Sequence, residues 1–313
     1  MTDVASTTAP TCLPPRPAQR PESLTAPTGA WDTHAHVIGG DAVSPFVAHR
    51  SYTPPKATVD AYVAMLDAVG IDFGVLIQIS VHGADNRLIA DGLRRYPDRL
   101  RGVISIGGGE SDAELRALGE LGVCGIRLNE HFAGGASADQ LERLADRCRP
   151  LGWHVDLGVT AERLRELAPR LAKLDLPFVI DHMGAPNPAL GVTHDDFAAL
   201  VDLAHLDHCW VKLSAAYRFT ERGAPYDDLT PFVRGLAMAA PGRTIWAADW
   251  PNVALTDPTR MPQTGAQLDA FARQIGDAGL LHAILVDNPL RLFGRPGAPV
   301  RLPAHAQDER TAP

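Results

Sequence analysis

Two histidines, His34 and His36, are separated by one alanine in the segment Asp-Thr-His-Ala-His. Residues two apart in a β-strand point to the same face, so both imidazoles would project in one direction. Burying two such rings is unfavourable unless they have partners. The spacing therefore indicates a pair that binds a metal ion or relays protons, and the alternative is a pair that only packs.

Two further segments place chemically useful residues after apolar runs. His182 lies in Asp-His-Met-Gly, and Asp249 lies in Ala-Asp-Trp-Pro. Three imidazoles and a carboxylate are suitable ligands for Zn²⁺ or Mn²⁺. Such a site requires a fold that brings the four side chains together.

The chain between residues 30 and 295 alternates between two kinds of pattern. Near-continuous apolar runs rich in β-branched residues predict strands, and apolar residues at helical spacing predict helices. Such strands, separated by helices, are typical of a parallel sheet covered by helices. The predicted strands are 31–38, 73–80, 100–106, 123–130, 153–159, 178–184, 209–215 and 244–251. Helical patterns are clear at 58–70, 112–121, 138–149 and 161–173.

Eight strand–helix units in about 250 residues predict an α/β fold, a single-domain (β/α)8 TIM barrel. A doubly wound sheet is the alternative, but no glycine-rich phosphate loop follows the first strand. The run Gly107–Gly109 after the third strand is interpreted as a turn between a strand and a helix. The C-terminal ends of barrel strands meet at one face, so His34, His36, His182 and Asp249 are predicted to share one small volume.

Composition excludes some classes of function. The chain has 313 residues, 45% of them hydrophobic, and a formal net charge of −8, which argues against general binding of nucleic acid or anionic membranes. No apolar run approaches the roughly 20 residues of a membrane span, and no signal peptide is expected. The cysteines form no metal-binding pair, which fits a reducing cytoplasmic location; they are Cys12, Cys124, Cys148 and Cys209.

Both ends of the chain are predicted to be flexible. Residues 1–29 are rich in proline and small polar residues, so they are interpreted as a disordered tail outside the barrel at 30–295. Residues 296–313 are interpreted in the same way. Barrel enzymes of this size are often dimers, so the sequence is also compatible with a homodimer.

Five segments, in order, resemble the amidohydrolase superfamily and its amidohydrolase-2 branch. They are His-Ala-His on strand 1, Gly-Ile-Arg-Leu-Asn on strand 4, Asp-His-Met-Gly ending strand 6, Val-Lys-Leu-Ser-Ala-Ala-Tyr-Arg at strand 7 and Ala-Asp-Trp-Pro ending strand 8. Within that branch they are similar to the lactonase group that contains 2-pyrone-4,6-dicarboxylate hydrolase and sulfomuconolactone hydrolase. The resemblance covers residues 30–295 and implies a hydrolase that opens a small acidic lactone, in the breakdown of aromatic or sugar acids.

The resemblance also implies roles for individual residues. Asp249 would be the general base that activates water. The three histidines, His34, His36 and His182, would polarise the carbonyl, either directly or as ligands of a metal ion. Residues expected to bind the substrate are Arg127, Arg218 and Tyr52 from the resemblance, with Gln78 and Ser80 added because they end strand 2.

One departure from the family concerns the loop after strand 4. Pyrone dicarboxylate enzymes have a further arginine there, whereas this chain has Asn-Glu-His-Phe-Ala-Gly-Gly. Gly134 and Gly135 suggest a more open loop. The change favours a substrate with one strong anionic group, or a more polar lactone.

The resemblance leaves the metal requirement open. Binuclear members use a lysine on strand 4 that this chain lacks, so one divalent ion, zinc or manganese, is expected unless Glu130 substitutes for the lysine. Catalysis without metal is the alternative, because related lactonases work in both ways. Two rival functions are a metal-dependent decarboxylase of a small aromatic or unsaturated acid on the same scaffold and a non-catalytic protein that binds acids.

Overall fold

The computed structural model describes residues 9–299, and a nearly closed ring of eight parallel strands forms its centre. The strands follow one another in chain order, which confirms the barrel and rejects the doubly wound sheet. They are β1 (Trp31–Ala35), β2 (Phe73–Ile77), β3 (Leu100–Ile104), β4 (Val123–Asn129), β5 (His154–Gly158), β6 (Phe178–Ile180), β7 (Cys209–Ser214) and β8 (Thr244–Ala247).

Helices surround the barrel and bury their apolar faces against it. For example, α1 begins after Thr58, whose side chain accepts a hydrogen bond from the amide of Ala61, and ends at Gly70 with a φ of 78°. Those in residues 9–299 are α1 (Val59–Val69), α2 (Arg87–Arg95), α3 (Asp112–Glu120), α4 (Leu141–Cys148), α5 (Ala161–Leu171), α6 (Asp195–Ala204), α7 (Ala216–Phe219), α8 (Thr230–Ala239), α9 (Thr264–Ile275), α10 (Ala278–His282) and α11 (Asn288–Phe293). None of the helices in this part of the chain has the length and hydropathy of a membrane span.

The barrel closes between its first and last strands through few backbone contacts. Ala35 forms a bridge with Trp250, and the amide of His36 donates to the carbonyl of Trp250 at 2.8 Å. Side chains complete the junction, since Asp32 accepts from the amide of Ala248 at 2.8 Å. We call this β1–β8 junction the seam.

All eight strands end earlier than their apolar patterns predict, and β6 and β8 do so by the largest margin. β6 stops at Ile180, and His182 then has a φ of 52°. β8 stops at Ala247, and Asp249 has a φ of 56°. Left-handed backbone is rare for residues with a side chain and is often found at functional sites. Both side chains therefore leave the strand alternation before they reach the mouth of the barrel.

Residues 9–29, which the sequence predicts to be a flexible tail, contact the barrel in the structure. Polar contacts order this segment, although its apolar content is low. The carboxylate of Asp269 accepts hydrogen bonds of 2.6–3.0 Å from the amides of Glu22, Ser23 and Leu24. At the other end, Arg101 donates to the carbonyl of Ala298 at 2.7 Å. Residues 1–8 and 300–313 of the predicted tails lie outside the described residues.

Candidate active site

Four predicted residues meet at the C-terminal mouth of the barrel. Oδ1 of Asp249 lies 3.8 Å from Nε2 of His34, 3.8 Å from Nε2 of His36 and 3.9 Å from Nε2 of His182. The four side chains are buried. Same-face geometry on β1 and the two left-handed residues after β6 and β8 produce this convergence.

The other ring nitrogen of each histidine already has a neighbour. Nδ1 of His36 lies 2.8 Å from the carbonyl oxygen of Ile77. A carbonyl only accepts, so Nδ1 carries the proton and Nε2 presents a lone pair towards Asp249. Nδ1 of His182 lies 2.8 Å from Oγ of Ser214, which can donate or accept.

The carboxylate of Asp249 has one anchored and one free oxygen. Oδ2 accepts from the hydroxyl of Tyr217 at 2.7 Å and from Nε of Arg218 at 2.9 Å. Oδ1 has no hydrogen-bond partner among the described residues. Burial raises the pKa of Asp249, but the charge of Arg218 opposes burial, and the pKa lies below its usual range. Asp249 is therefore ionised.

The histidines remain neutral in this environment. Burial lowers the pKa of His34, His36 and His182, and the pKa of His36 falls to about 3. Neutral imidazole is the form that coordinates metal ions. Nε2 of His34 and Oδ1 of Asp249 are buried without hydrogen-bond partners among residues 9–299. A cation would satisfy both atoms, and His34, His36 and Asp249 lie close enough together to hold one divalent metal ion, with His182 beside them.

A buried ionic network supports the site from below. Lys212 is fully buried, with Nζ 2.5 Å from Oδ2 of Asp156 and 3.0 Å from Oδ1 of Asp181. Arg127 pairs with Oδ2 of Asp181, at 3.1 Å from Nε and 3.0 Å from Nη2. Nδ1 of His34 lies 3.3 Å from Oδ1 of Asp181 and 3.2 Å from Nζ of Lys212. The network therefore fixes the imidazole of His34.

Sequence reasoning did not assign a role to this network. The sequence does contain one signal for this network, the lysine inside the apolar run of β7, because a buried lysine needs buried partners of opposite charge. Burial opposes ionisation of Asp181, but Lys212, His34 and Arg127 outweigh burial and lower the pKa of this carboxyl group.

A cavity of about 210 Å³ opens above the histidines. Three of the predicted substrate-binding residues contribute to its wall, namely Tyr52, Arg127 and Arg218. Asn129 and His131 also contribute to the wall, although sequence reasoning gave them no role, and it missed the apolar residues of the wall. The full lining comprises His36, Tyr52, Arg127, Asn129, His131, Phe132, His182, Arg218, Phe219, Asp249 and Val253.

Two predicted substrate-binding residues lie outside this lining. The amide of Gln78 donates to the carbonyls of Gly83 and Asp85, at 3.0 and 2.9 Å. Gln78 and Ser80 instead line a small neighbouring void. The side chain of Gln78 therefore holds the loop after β2, and the structure does not bring it to the main cavity.

The loop after β4 is closely packed, so the suggestion of a more open loop is wrong. A Cβ atom at Gly134 would clash with the carbonyl oxygen of Ser80, and one at Gly135 would clash with that of Asn129. The glycines permit close approach of backbone to backbone. Glu130 accepts from the amide of Ala138 at 2.8 Å and does not enter the site.

A sequential (β/α)8 barrel with three histidines and an ionised aspartate at its mouth is typical of hydrolytic barrel enzymes. The family model described as amidohydrolase matches residues 31–295. The chain therefore belongs to the amidohydrolase family, which confirms the resemblance seen in its motifs.

The family's curated members include enzymes similar to this chain over most of their length. A 4-sulfomuconolactone hydrolase from Rhizobium radiobacter is 41% identical, covering 91% of this chain and 96% of the relative. A 2-pyrone-4,6-dicarboxylate hydrolase from Comamonas testosteroni is 34% identical, covering 85% and 90%. The crystal structure of a probable 2-pyrone-4,6-dicarboxylic acid hydrolase from Acinetobacter baumannii, with citric acid bound, has a TM-score of 0.74 and 27% identity, covering 85% and 100%.

Proposed function

We propose that this protein opens the ring of a small acidic lactone by adding water to the ring carbonyl. The carboxylate of Asp249 carries the proposal, because one oxygen is anchored and the other faces three imidazoles without a hydrogen-bond partner among the described residues. Relatives named as hydrolases of sulfomuconolactone and pyrone dicarboxylate support the reaction class.

Asp249 is the base in this reaction. Its low pKa keeps the carboxylate ionised, and Oδ1 takes a proton as the water oxygen bonds to the carbonyl carbon. The ring C–O bond then breaks, and Asp249 returns the proton to the leaving oxygen. Tyr217 and Arg218 hold Oδ2 throughout, so the base keeps its orientation.

The histidines alone offer few hydrogen-bond donors that could stabilise the negative charge on the carbonyl oxygen. His36 presents a lone pair towards the site, so it cannot donate to that oxygen while it is neutral. His182 can present an N–H group, because Ser214 can donate to its Nδ1. A divalent ion, zinc or manganese, held by His34, His36, His182 and Asp249 would supply Lewis-acid polarisation of the carbonyl.

The cavity favours a small substrate with an anionic group. Its volume of about 210 Å³ is below the range of most ligand sites, about 300–1,000 Å³. Arg218 uses Nε for Asp249, which leaves the other nitrogens of its planar group for a carboxylate or sulfonate. The rings of Tyr52 and Phe132, 4.9 Å apart, form an aromatic wall for an unsaturated ring.

Titration of acid release by a pH-stat tests the proposal, since each ring opening liberates one carboxylic acid. The panel pairs acidic lactones with neutral analogues of equal ring size, each with and without chelator. We expect the acidic members to be hydrolysed faster. Absence of hydrolysis for every acidic lactone would reject the function, and release of carbon dioxide instead would favour the decarboxylase.

A further inference from the structure

The N-terminal segment crosses the seam at the level of the cavity. The amide of Cys12 donates to the carbonyl of Thr53 at 2.9 Å, and the amide of Thr53 donates to the carbonyl of Pro10 at 2.8 Å. The amide of Leu13 donates to the carbonyl of Leu255 at 2.9 Å. We call residues 10–13 the strap. It joins the loop after β1 to the loop after β8.

Both loops carry residues of the cavity wall next to their strap contacts. Tyr52 precedes Thr53 in the loop after β1, and Val253 lies two residues before Leu255 in the loop after β8. The strap is partly buried, since Cys12 is only 5% exposed and Leu13 is half-buried, whereas Pro10 and Thr11 are exposed. Its backbone bonds therefore act on the two loops directly beside the cavity wall.

A backbone link across the seam affects the distances between the catalytic side chains. His34 and His36 belong to β1, whereas Asp249 follows β8, so their separations are set across the seam. Among the described residues, Ala35 and Trp250 form an isolated bridge at the seam, whereas the other neighbouring strands pair in ladders of several residues. The loops above the seam gain from the strap a backbone link that the sheet does not provide.

We propose that the strap is a positioning segment of the active site, which holds the Tyr52 and Val253 walls together across the seam. The kinetic part of this inference rests on the proposed function. The lower part of the N-terminal segment is held independently by Asp269. Release of the strap should therefore loosen the two loops without unfolding the barrel.

Leu13→Pro tests the inference because proline lacks the N–H group that bonds Leu255. Leu13 already precedes Pro14, where extended backbone is favoured, and Leu13→Ala is the matched control that keeps the donor. Cys12→Pro with Cys12→Ala repeats the comparison at the bond to Thr53. Hydrogen exchange over 48–58 and 250–260, thermal melting and steady-state kinetics are measured for all four variants.

We expect faster exchange in both loops of each proline variant than in its alanine control. KM for an acidic lactone should rise about fivefold, the factor for one net hydrogen bond, with kcat little changed. Equal exchange and KM in proline and alanine variants would overturn the inference. Loss of folding in both proline variants, with both controls folded, would also overturn it, because the strap would then be a folding element. Exchange does not depend on substrate, so it distinguishes this failure from failure of the proposed function.

Discussion

Arg218 donates from Nε to Oδ2 of Asp249 across 2.9 Å, and this contact turns Oδ1 towards the three histidines. The same guanidinium lines the cavity. Arg218 therefore stands between the base and the proposed anionic group of the substrate, so binding of the acid and orientation of the base are coupled.

Asp249→Asn should lower kcat/KM by about 10²- to 10⁴-fold, because general-base catalysis is lost while the shape of the side chain is kept. The pH-stat assay measures the loss. Asp257→Asn, in the exposed part of the same loop, is the control and should leave the rate unchanged. A variant at position 249 that keeps more than about a tenth of kcat would show that another group is the base.

The plot of kcat/KM against pH should show no inflection near 6.5, the ordinary pKa of histidine. Burial lowers the pKa of His34, His36 and His182, so these rings stay neutral as the pH falls through that value. Asp249 stays ionised over the same range because its pKa is also lowered. We expect kcat/KM to remain level from about pH 8 to pH 6 and to fall only in more acidic buffer. An acid limb centred near 6.5 would contradict the neutral cluster.

Removal of metal should be visible without substrate. After dialysis against a chelator, addition of Zn²⁺ or Mn²⁺ should raise the melting temperature and restore about one equivalent of bound metal per chain. His182→Ala should abolish both effects, whereas His205→Ala, at an exposed position, should retain them. Full lactone hydrolysis by protein free of metal would favour the metal-free route, with His182 as the donor.

Lys212→Met should destabilise the fold by about 3–5 kcal/mol, because Asp156 and Asp181 would lose their buried cation. Urea unfolding followed by circular dichroism measures this change in the free energy of unfolding. Lys56→Met is the matched control, since its pair with Asp41 is exposed and should contribute little to stability. Equal effects of the two substitutions would mean that the buried network contributes little.

Gly135→Ala should raise KM, because the added methyl group would displace the carbonyl of Asn129 and thereby move the cavity wall. Gly109→Ala is the control, since a Cβ atom there has no neighbour within 4 Å. Kinetics with an acidic lactone compare the two proteins. An unchanged KM for the variant at position 135 would show that the loop after β4 does not shape the binding site.

The barrel and its central cluster could be predicted because they follow from repeating local patterns. The alternation of apolar runs with helical spacing gave the strands, and the rule that strand ends meet brought His34, His36 and Asp249 together. Strand ends were less accurate at β6 and β8, where His182 and Asp249 adopt left-handed backbone. An apolar pattern does not reveal such a turn when the residues after it are also buried.

Features that depend on a distant partner could not be predicted. The pairing of Arg127 with Asp181 joins a residue of β4 to the residue that follows β6, and the sequence around either residue does not indicate its partner. The N-terminal segment looked unstructured because it has few apolar residues, yet Asp269 orders it by accepting backbone hydrogen bonds. Amino-acid composition indicates how much apolar surface a segment can bury, but it does not show whether the backbone amides of that segment have hydrogen-bond partners.

The position of the site across the seam has a consequence for biosynthesis. His34 and His36 leave the ribosome early, but Asp249 follows the last strand, so the cluster cannot exist until nearly the whole barrel has been made. A nascent or truncated chain that lacks β8 would therefore have no base, whatever structure its earlier strands adopt. Activity should therefore appear at the moment when the barrel closes, so the onset of catalysis reports the completion of folding.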